Sequence, residues 1–254
     1  MPFNKNAADV LFLRGEYEKA AEMYLDGARD GNEDAAFNYA YCLWHGLGTE
    51  RDVSGAKSFF SFARDLAGGD SCYNLAVIYM EGEGVARDYY QAYRYMTDAA
   101  ELGSVEAMLY LGMSYTVGYL LYPEITSVSR IPFHKPQIRT ENIYVLEGRT
   151  EDDIAADEEA RSSVIRTDPR RAFEYFSAAA HADPTYVEDL VAKGKFLYAR
   201  CFIDGFGTEF NRDTGVRLML AAGRSGSEDA AAFLAEIGVS TLMLEDAKKK
   251  KSPR

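Results

Sequence analysis

Cysteine is scarce in this sequence, and long apolar stretches are missing. Three cysteines in 254 residues are too few for a disulfide framework and fit a reducing compartment. The longest apolar runs, such as 75–80 and 230–235, have six residues, whereas a transmembrane helix needs about 20. The first residues also lack the apolar core of a signal peptide. We therefore expect a cytoplasmic protein that makes no membrane contact.

Basic residues are also few. The chain has 28 Lys and Arg against 40 Asp and Glu, a net charge of −12. Five of the positive charges lie in 248–254, which we expect to be a flexible basic tail, so residues 1–247 carry a net charge of −17. Nucleic acids and anionic membranes bind basic surfaces. The charge therefore excludes both as partners and favours a protein or peptide that is basic where it makes contact.

Residues that could carry chemistry are not clustered. The three histidines, His45, His134 and His181, have no second His or Cys at metal-binding spacing. Cys42 lies three residues before His45, but no third residue is available to activate a thiol nucleophile. We expect no catalytic residue, no metal and no cofactor. The acidic run within 151–159 is expected to be solvated, with contact to a basic partner and carboxylate catalysis as alternatives.

What the chain does contain is an internal repeat. Glycines recur at 46, 82, 118 and 205, the first three exactly one 36-residue period apart. Slots are numbered here from that glycine. Slot −7 holds Tyr39, Leu75, Leu111 and Tyr198, and slot −3 holds Leu43, Tyr79, Tyr115 and Phe202. This spacing predicts a helix that ends at each glycine, because a helix C-terminus often needs a left-handed residue.

A second helix is predicted after each turn. Its start is marked by Glu16, Asp52, Asp88, Asp168 and Asn211, mostly residue types that accept hydrogen bonds from the first backbone amides of a helix. Each start is followed four residues later by Ala or Gly and seven and eight residues later by large apolar side chains. We expect about five helix pairs, at 4–31, 32–68, 69–103, 104–182 and 183–226, and a capping helix at 227–237. Pairs this short must stack to bury their apolar faces.

These units resemble the Sel-one-like repeat, a branch of the tetratricopeptide-like helical repeats. The resemblance rests on segments such as Ala107–Gly118, which reads Ala-x-x-x-Leu-Gly-x-x-Tyr-x-x-Gly, and Ala92–Gly103. Repeats two and three match most fully. The resemblance implies an all-α, right-handed α-solenoid, and it implies the role of an adaptor or scaffold for protein complexes. We expect a single such domain over 1–247, interrupted by an insertion at 119–167.

One stripe of the first helices varies in residue type where the core slots do not, and this makes it the candidate binding surface. We call it the first-helix stripe. It comprises slots −12, −8, −5 and −1 of four repeats: Asp34, Asn38, Tyr41 and His45; Asp70, Asn74, Val77 and Glu81; Glu106, Tyr110, Met113 and Val117; Lys193, Leu197, Arg200 and Asp204. The resemblance implies that first helices line a concave groove. Plain solvent exposure is the alternative, and Trp44 is either core or groove rim.

The insertion does not follow the repeat. Three prolines and several β-branched residues in its first part disfavour a long helix. We expect an extended arm or a small hairpin there, followed by a short helix near 152–161. The hypothesis is that this arm packs into the groove or forms a partner-specific wall, with Phe133, His134 and Lys135 near its tip.

Together these features predict a non-enzymatic adaptor that presents a concave groove to a protein or peptide. Two alternatives stay open. One is a hydrolase whose site lies where the insertion meets the groove. The other is a structural unit that assembles with itself, and the sequence does not indicate the oligomeric state.

Overall fold

The structure, a computed structural model, describes residues 4–82, 84–121, 151–185 and 187–238. All regular elements in these residues are α-helices. They are α1 Lys5–Leu13, α2 Tyr17–Arg29, α3 Glu33–His45, α4 Val53–Phe62, α5 Arg64–Glu81, α6 Tyr89–Glu101, α7 Val105–Val117, α8 Glu151–Val164, α9 Pro169–His181, α10 Glu188–Asp204, α11 Arg212–Arg224 and α12 Glu228–Glu236. The predicted all-α class is confirmed.

The helices belong to two compact units. The first comprises the described residues within 1–107 and 120–164, and the second those within 108–119 and 165–254. In the first unit each of α1 to α5 packs against the next helix along the chain, α5 packs against α6, and α3 also contacts α5. In the second unit α10 packs against α9, α11 and α12. The single domain over 1–247, the count of five pairs and the right-handed superhelix stay predictions.

Four of the five predicted N-cap residues act as caps. Asp52 accepts a hydrogen bond from the backbone N–H of Gly55 at 2.9 Å, and Asp168 accepts one from Arg171 at 3.1 Å. Asp88 and Asn211 cap their helices in the same way. Glu16 does not cap; its carboxylate pairs with Lys19 Nζ at 2.7 Å. A side-chain cap of this kind contributes about 1 kcal/mol.

Three of the repeat glycines, at 46, 82 and 205, are followed two residues later by a second glycine, at 48, 84 and 207. The two glycines of each Gly-x-Gly turn have separate roles. The first glycine ends the first helix in the left-handed conformation, as at Gly46 with φ 67°. The second glycine lies against the second helix of the preceding pair. A Cβ at Gly48 would stand 2.1 Å from the carbonyl of Tyr17, and one at Gly207 would stand 2.0 Å from the carbonyl oxygen of Pro169. Only a residue without a side chain permits this approach.

Two details differ from the expected bounds. Helix α5 begins already at Arg64 but is interrupted at Gly68, whose angles of φ 17° and ψ −101° are not helical. This break coincides with the expected boundary at 68. Helix α10 begins at Glu188, five residues after the expected start of the last pair at 183. Asp183 instead accepts a hydrogen bond from the N–H of Thr185 at 2.9 Å, which forms a local turn ahead of the helix.

Candidate protein-binding face

Five of the sixteen residues of the first-helix stripe are buried, which corrects the expectation that the whole stripe lies at the surface. Side chains at six of the predicted groove positions are inaccessible to solvent or nearly so: Asn38, Tyr41, Trp44, Asn74, Val77 and Tyr110. In the first unit the reason is that α3 lies against α1 and α5, so these slots fill the space between neighbouring first helices. The ring of Tyr41, for example, meets that of Phe12 in α1 at 6.4 Å. Trp44 is therefore core rather than groove rim.

The buried stripe residues were not predicted as core because they differ in type from repeat to repeat. They differ because the side chain at each slot fits different neighbours in each pair. Tyr41 and Val77 occupy the same slot, and both are fully buried. A packed interior requires matched total volume at each contact, not the same residue in every repeat. Variation alone was thus an insufficient sign of a binding surface.

The accessible part of the stripe in the first unit is acidic. The partly exposed residues there are Asp34, His45, Asp70, Glu81 and Glu106. Three of them occupy slot −12, in the first turns of α3 and α7 and near the start of α5 after its break. We call Asp34, Asp70 and Glu106 the acidic row. Carboxylates in a first helical turn are stabilised by the free backbone amides there.

The acidic row has neighbours that tune its charge. Lys5 Nζ lies 3.5 Å from Asp34 Oδ2. Burial raises the pKa of Glu106, and the Asp70 carboxylate acts in the same direction. Ser104 donates a hydrogen bond to Glu106 Oε2 at 3.2 Å. The electrostatic potential at this end of the first helices is therefore negative and attracts positively charged groups. Such a group would relieve the repulsion between the Asp70 and Glu106 carboxylates.

A further carboxylate adds to this field from α1. Asp9 is buried and accepts a hydrogen bond from the hydroxyl of Tyr24 at 2.7 Å. Burial raises the pKa of Asp9, and Asp34 contributes in the same direction. The sequence did not single out Asp9, because α1 has no Gly-x-Gly turn from which its slots can be counted.

The opposite end of the stripe on α3 is aromatic. The His45 ring lies 4.4 Å from that of Tyr41 and stacks at 5.1 Å on that of Trp44. Arg51 Nε donates to the carbonyl of Trp44 at 2.9 Å and thereby satisfies a free carbonyl at the helix end. Of the three rings, only that of His45 is partly exposed, and Arg51 beside it is exposed.

In the second unit the stripe has a different character. Lys193 stands at slot −12 where the first unit has carboxylates, and Met113, Lys193, Leu197 and Arg200 are partly exposed. Arg200 donates to Asp204 Oδ2 at 2.9 Å, and its guanidinium lies 4.7 Å from the ring centre of Phe233. The acidic character thus belongs to the first unit.

The insertion contributes a contact that sequence reasoning missed. The predicted short helix is confirmed as α8. Asp157, placed by the sequence in a solvated acidic run, accepts hydrogen bonds from Arg87 at 2.9 Å, from Arg161 at 3.2 Å and from the hydroxyl of Tyr89. Its side chain is only 10% exposed. The expectation of a solvated run is therefore wrong for Asp157.

The turn at Gly118 has no second glycine. Leu120 stands where that glycine would be and is fully buried. Arg161 Nη1 donates to the carbonyl of Leu120 at 2.9 Å, so α8 is joined both to the turn and to the start of α6. The i, i+4 spacing of Asp157 and Arg161 was the available sequence signal. Phe133, His134 and Lys135 lie outside the described residues, as does much of the proposed hydrolase site.

The three cysteines are held as buried thiols. Burial raises the pKa of the Cys42 thiol to about 12, and those of Cys72 and Cys201 to about 11, so the nucleophilic thiolate is suppressed. Within the described ranges, no three His, Cys, Asp or Glu side chains converge as metal ligands would. Across those same ranges, no helix combines the length and apolar character needed to cross a membrane.

Comparison with known proteins places these features in a family. The sequence model of the Sel1 repeat matches residues 33–67, 69–104 and 161–184. The first two matches coincide with the second and third repeats, the ones that the sequence showed as most regular. The chain is also similar to a crystal structure of a Sel1 repeat protein from Oxalobacter formigenes, with a TM-score of 0.64 and 16% identity over 99% of this chain and 86% of the other.

Two curated plant proteins are similar over part of the chain. The ERAD-associated E3 ubiquitin-protein ligase component HRD3A of Arabidopsis thaliana is 32% identical over 142 residues, which are 52% of this chain and 20% of the relative. Component HRD3B of the same plant is 28% identical over 85 residues, 34% of this chain and 14% of the relative. The chain thus spans a fifth or less of these relatives. By its repeat register and by the three matches of the repeat model, the chain contains Sel1 repeats, and its fold is similar to that of a solved Sel1-repeat protein.

Proposed function

We propose that this chain is a non-catalytic adaptor that binds a protein or peptide through the acidic row of its first unit. The observation that carries the proposal is the recurrence of a partly exposed carboxylate at slot −12 of three consecutive repeats. Packing does not require a carboxylate there, because the second unit has Lys193 at the same slot. Repeated carboxylates at one spacing suit a segment that carries several basic side chains.

The family supports the general role. The similar plant proteins are named as components of a ligase, which means parts of a larger assembly. We therefore infer that the contact is with another protein, basic where it meets the acidic row. Cytoplasmic localisation and the absence of nucleic-acid and membrane partners stay predictions from the sequence.

Affinity capture with matched variants tests the proposal. The test variant is D34N/D70N/E106Q, and the control is E18Q/E22Q/D30N, which removes the same charge from exposed positions of the first hairpin. We expect the test variant to lose most of the partner that the full chain retains from native lysate, while the control retains it. Raising the salt from 50 to 300 mM should weaken retention by wild type, since exposed charge pairs are screened.

Either of two results would contradict the acidic row as the binding site. One is equal retention by the test and control variants. The other is partner retention by wild type that does not respond to salt. A far-UV circular dichroism spectrum of each variant confirms that lost retention reflects the surface and not unfolding.

A further inference from the structure

Helix α11 carries a groove whose charge is opposite to that of the acidic row. The groove has a volume of about 580 Å³. It is lined by the apolar residues Val216, Leu220 and Ile237, which we call its floor, and by Arg212, Arg217 and Arg224, which we call its rim. We call it the α11 groove. Asp213 also lies at the rim, so the lining charges sum to +2 in a chain whose net charge is −12.

The groove exists because α12, which stands where the first helix of another pair would follow, is short. In the preceding pair of the second unit, Phe173 occupies the slot of Val216, and its ring lies 5.3 Å from that of Tyr198 and 5.5 Å from that of Phe202. Gly207 then covers the start of α9 at Pro169, the slot of Arg212. Helix α12 has 9 residues, whereas α10 has 17, so no turn within the described residues covers α11 in the same way.

The rim arginines are available for an anionic partner. All three are exposed. Within the part of the chain that the structure describes, none of them forms an ion pair with another side chain. Guanidinium groups pair with carboxylates through two parallel hydrogen bonds, so several arginines beside an apolar floor select a segment that is both acidic and apolar.

The chain itself supplies a segment of this composition. Helix α12 ends beside the groove, where Ile237 is followed by Gly238 in the left-handed conformation with φ 73°. Residues 239–247, which lie outside the described residues, read Val-Ser-Thr-Leu-Met-Leu-Glu-Asp-Ala. Eight residues beyond Gly238 can reach about 26 Å. Helix α11, with 13 residues, is about 20 Å long, so Glu245 and Asp246 can reach any of the arginines.

We propose that residues 239–246 bind in the α11 groove of their own chain, with apolar side chains on Val216 and Leu220 and with Glu245 and Asp246 paired to the rim arginines. The groove is then an interaction surface for acidic, leucine-containing segments that is occupied in cis. An external segment of the same chemistry must compete with a ligand held at an effective concentration on the order of 1 mM.

A labelled peptide with the sequence of residues 239–247 tests this in the full-length chain. Fluorescence anisotropy compares wild type with E245K/D246K, whose own segment can no longer pair with the arginines. For an intrinsic dissociation constant of about 100 µM, release of the groove should tighten the apparent affinity for the peptide about tenfold. Adding R217E/R224E to E245K/D246K should abolish peptide binding.

The control and the contrary results are specific. E18K/E22K makes the same change in net charge at exposed positions of α2 and should bind the peptide as weakly as wild type. Equal affinity of wild type and E245K/D246K would overturn the proposal, since the groove would then be open to another molecule. Binding that survives R217E/R224E, or no binding to E245K/D246K, would overturn it as well. Thermal unfolding of each variant shows that the groove is intact.

Discussion

Replacement of Gly48 by alanine tests the close contact between each turn and the preceding helix pair. Gly48 has φ 70°, and an added Cβ would stand 2.1 Å from the carbonyl carbon and oxygen of Tyr17. Gly31 is the matched control, because it has φ 84° but no atom within 4 Å of the added Cβ. Both variants incur the conformational cost of a left-handed alanine, about 1 kcal/mol. Only Gly48→Ala also forces two backbone segments apart.

The additional loss can be given a magnitude. Ordinary carbon contacts lie near 3.5–4.0 Å, so the turn must move by more than about 1 Å, and overpacking of this kind typically costs about 1–3 kcal/mol. We expect Gly48→Ala to lower the free energy of unfolding by about 3 kcal/mol and Gly31→Ala by about 1 kcal/mol.

The single tryptophan makes the assay specific to the first unit. Trp44 is the chain's one Trp and is fully buried in α3, so its fluorescence during urea denaturation follows the unit that contains both glycines. The urea midpoints should fall in the order wild type, Gly31→Ala, Gly48→Ala, with similar slopes. Equal midpoints for the two variants would show that the turn does not touch Tyr17 as described, and the reasoning about the second glycine would fail.

Three further predictions concern groups that are buried or partly buried. Asp157→Asn should lower the free energy of unfolding by about 3 kcal/mol, since Arg161 is left buried without its carboxylate partner. Urea denaturation of this variant and of the exposed-site control Glu158→Gln tests the prediction, and equal midpoints would contradict it. Because burial raises the pKa of Glu106, ionisation there opposes folding as pH rises. Glu106→Gln should therefore raise the melting temperature at pH 7 but not at pH 4. An equal rise in melting temperature at both pH values would contradict this prediction. The cysteines should react with Ellman's reagent slowly at pH 8 until urea is added; rapid native reaction would contradict their burial.

The helices were predictable because their signals are local. Asp52 and Asp168 cap helices through hydrogen bonds to backbone amides three residues later, so the sequence spacing contains the whole interaction. Gly46 ends α3 for a similarly local reason, since glycine adopts the left-handed conformation at the helix end without steric cost. Repetition then made each weak signal strong.

The candidate site was less predictable because burial depends on neighbours distant in sequence. Nothing local distinguishes Asn38, which is fully buried, from Asp34, which is partly exposed on the same face of α3. Asp157 shows the same limit. Its partner Arg87 lies 70 residues away, and an acidic segment is solvated or paired according to contacts that its own composition does not contain.

The acidic row and the α11 groove both lie at positions where helix packing does not determine the residue type. Ala20, Ala56, Ala92 and Ala172 share one slot of the second helices and are all fully buried, because a larger side chain would hold the helices apart. Slot −12 of the first helices and the rim slots of α11 face no such demand. The slot of Arg217 holds Glu22, Ser58, Arg94 and Glu174 in the other second helices. Three arginines on one helix, like three carboxylates on one row, are therefore not products of the repeat. Folding does not require either charge pattern, and this supports the proposal that both serve binding.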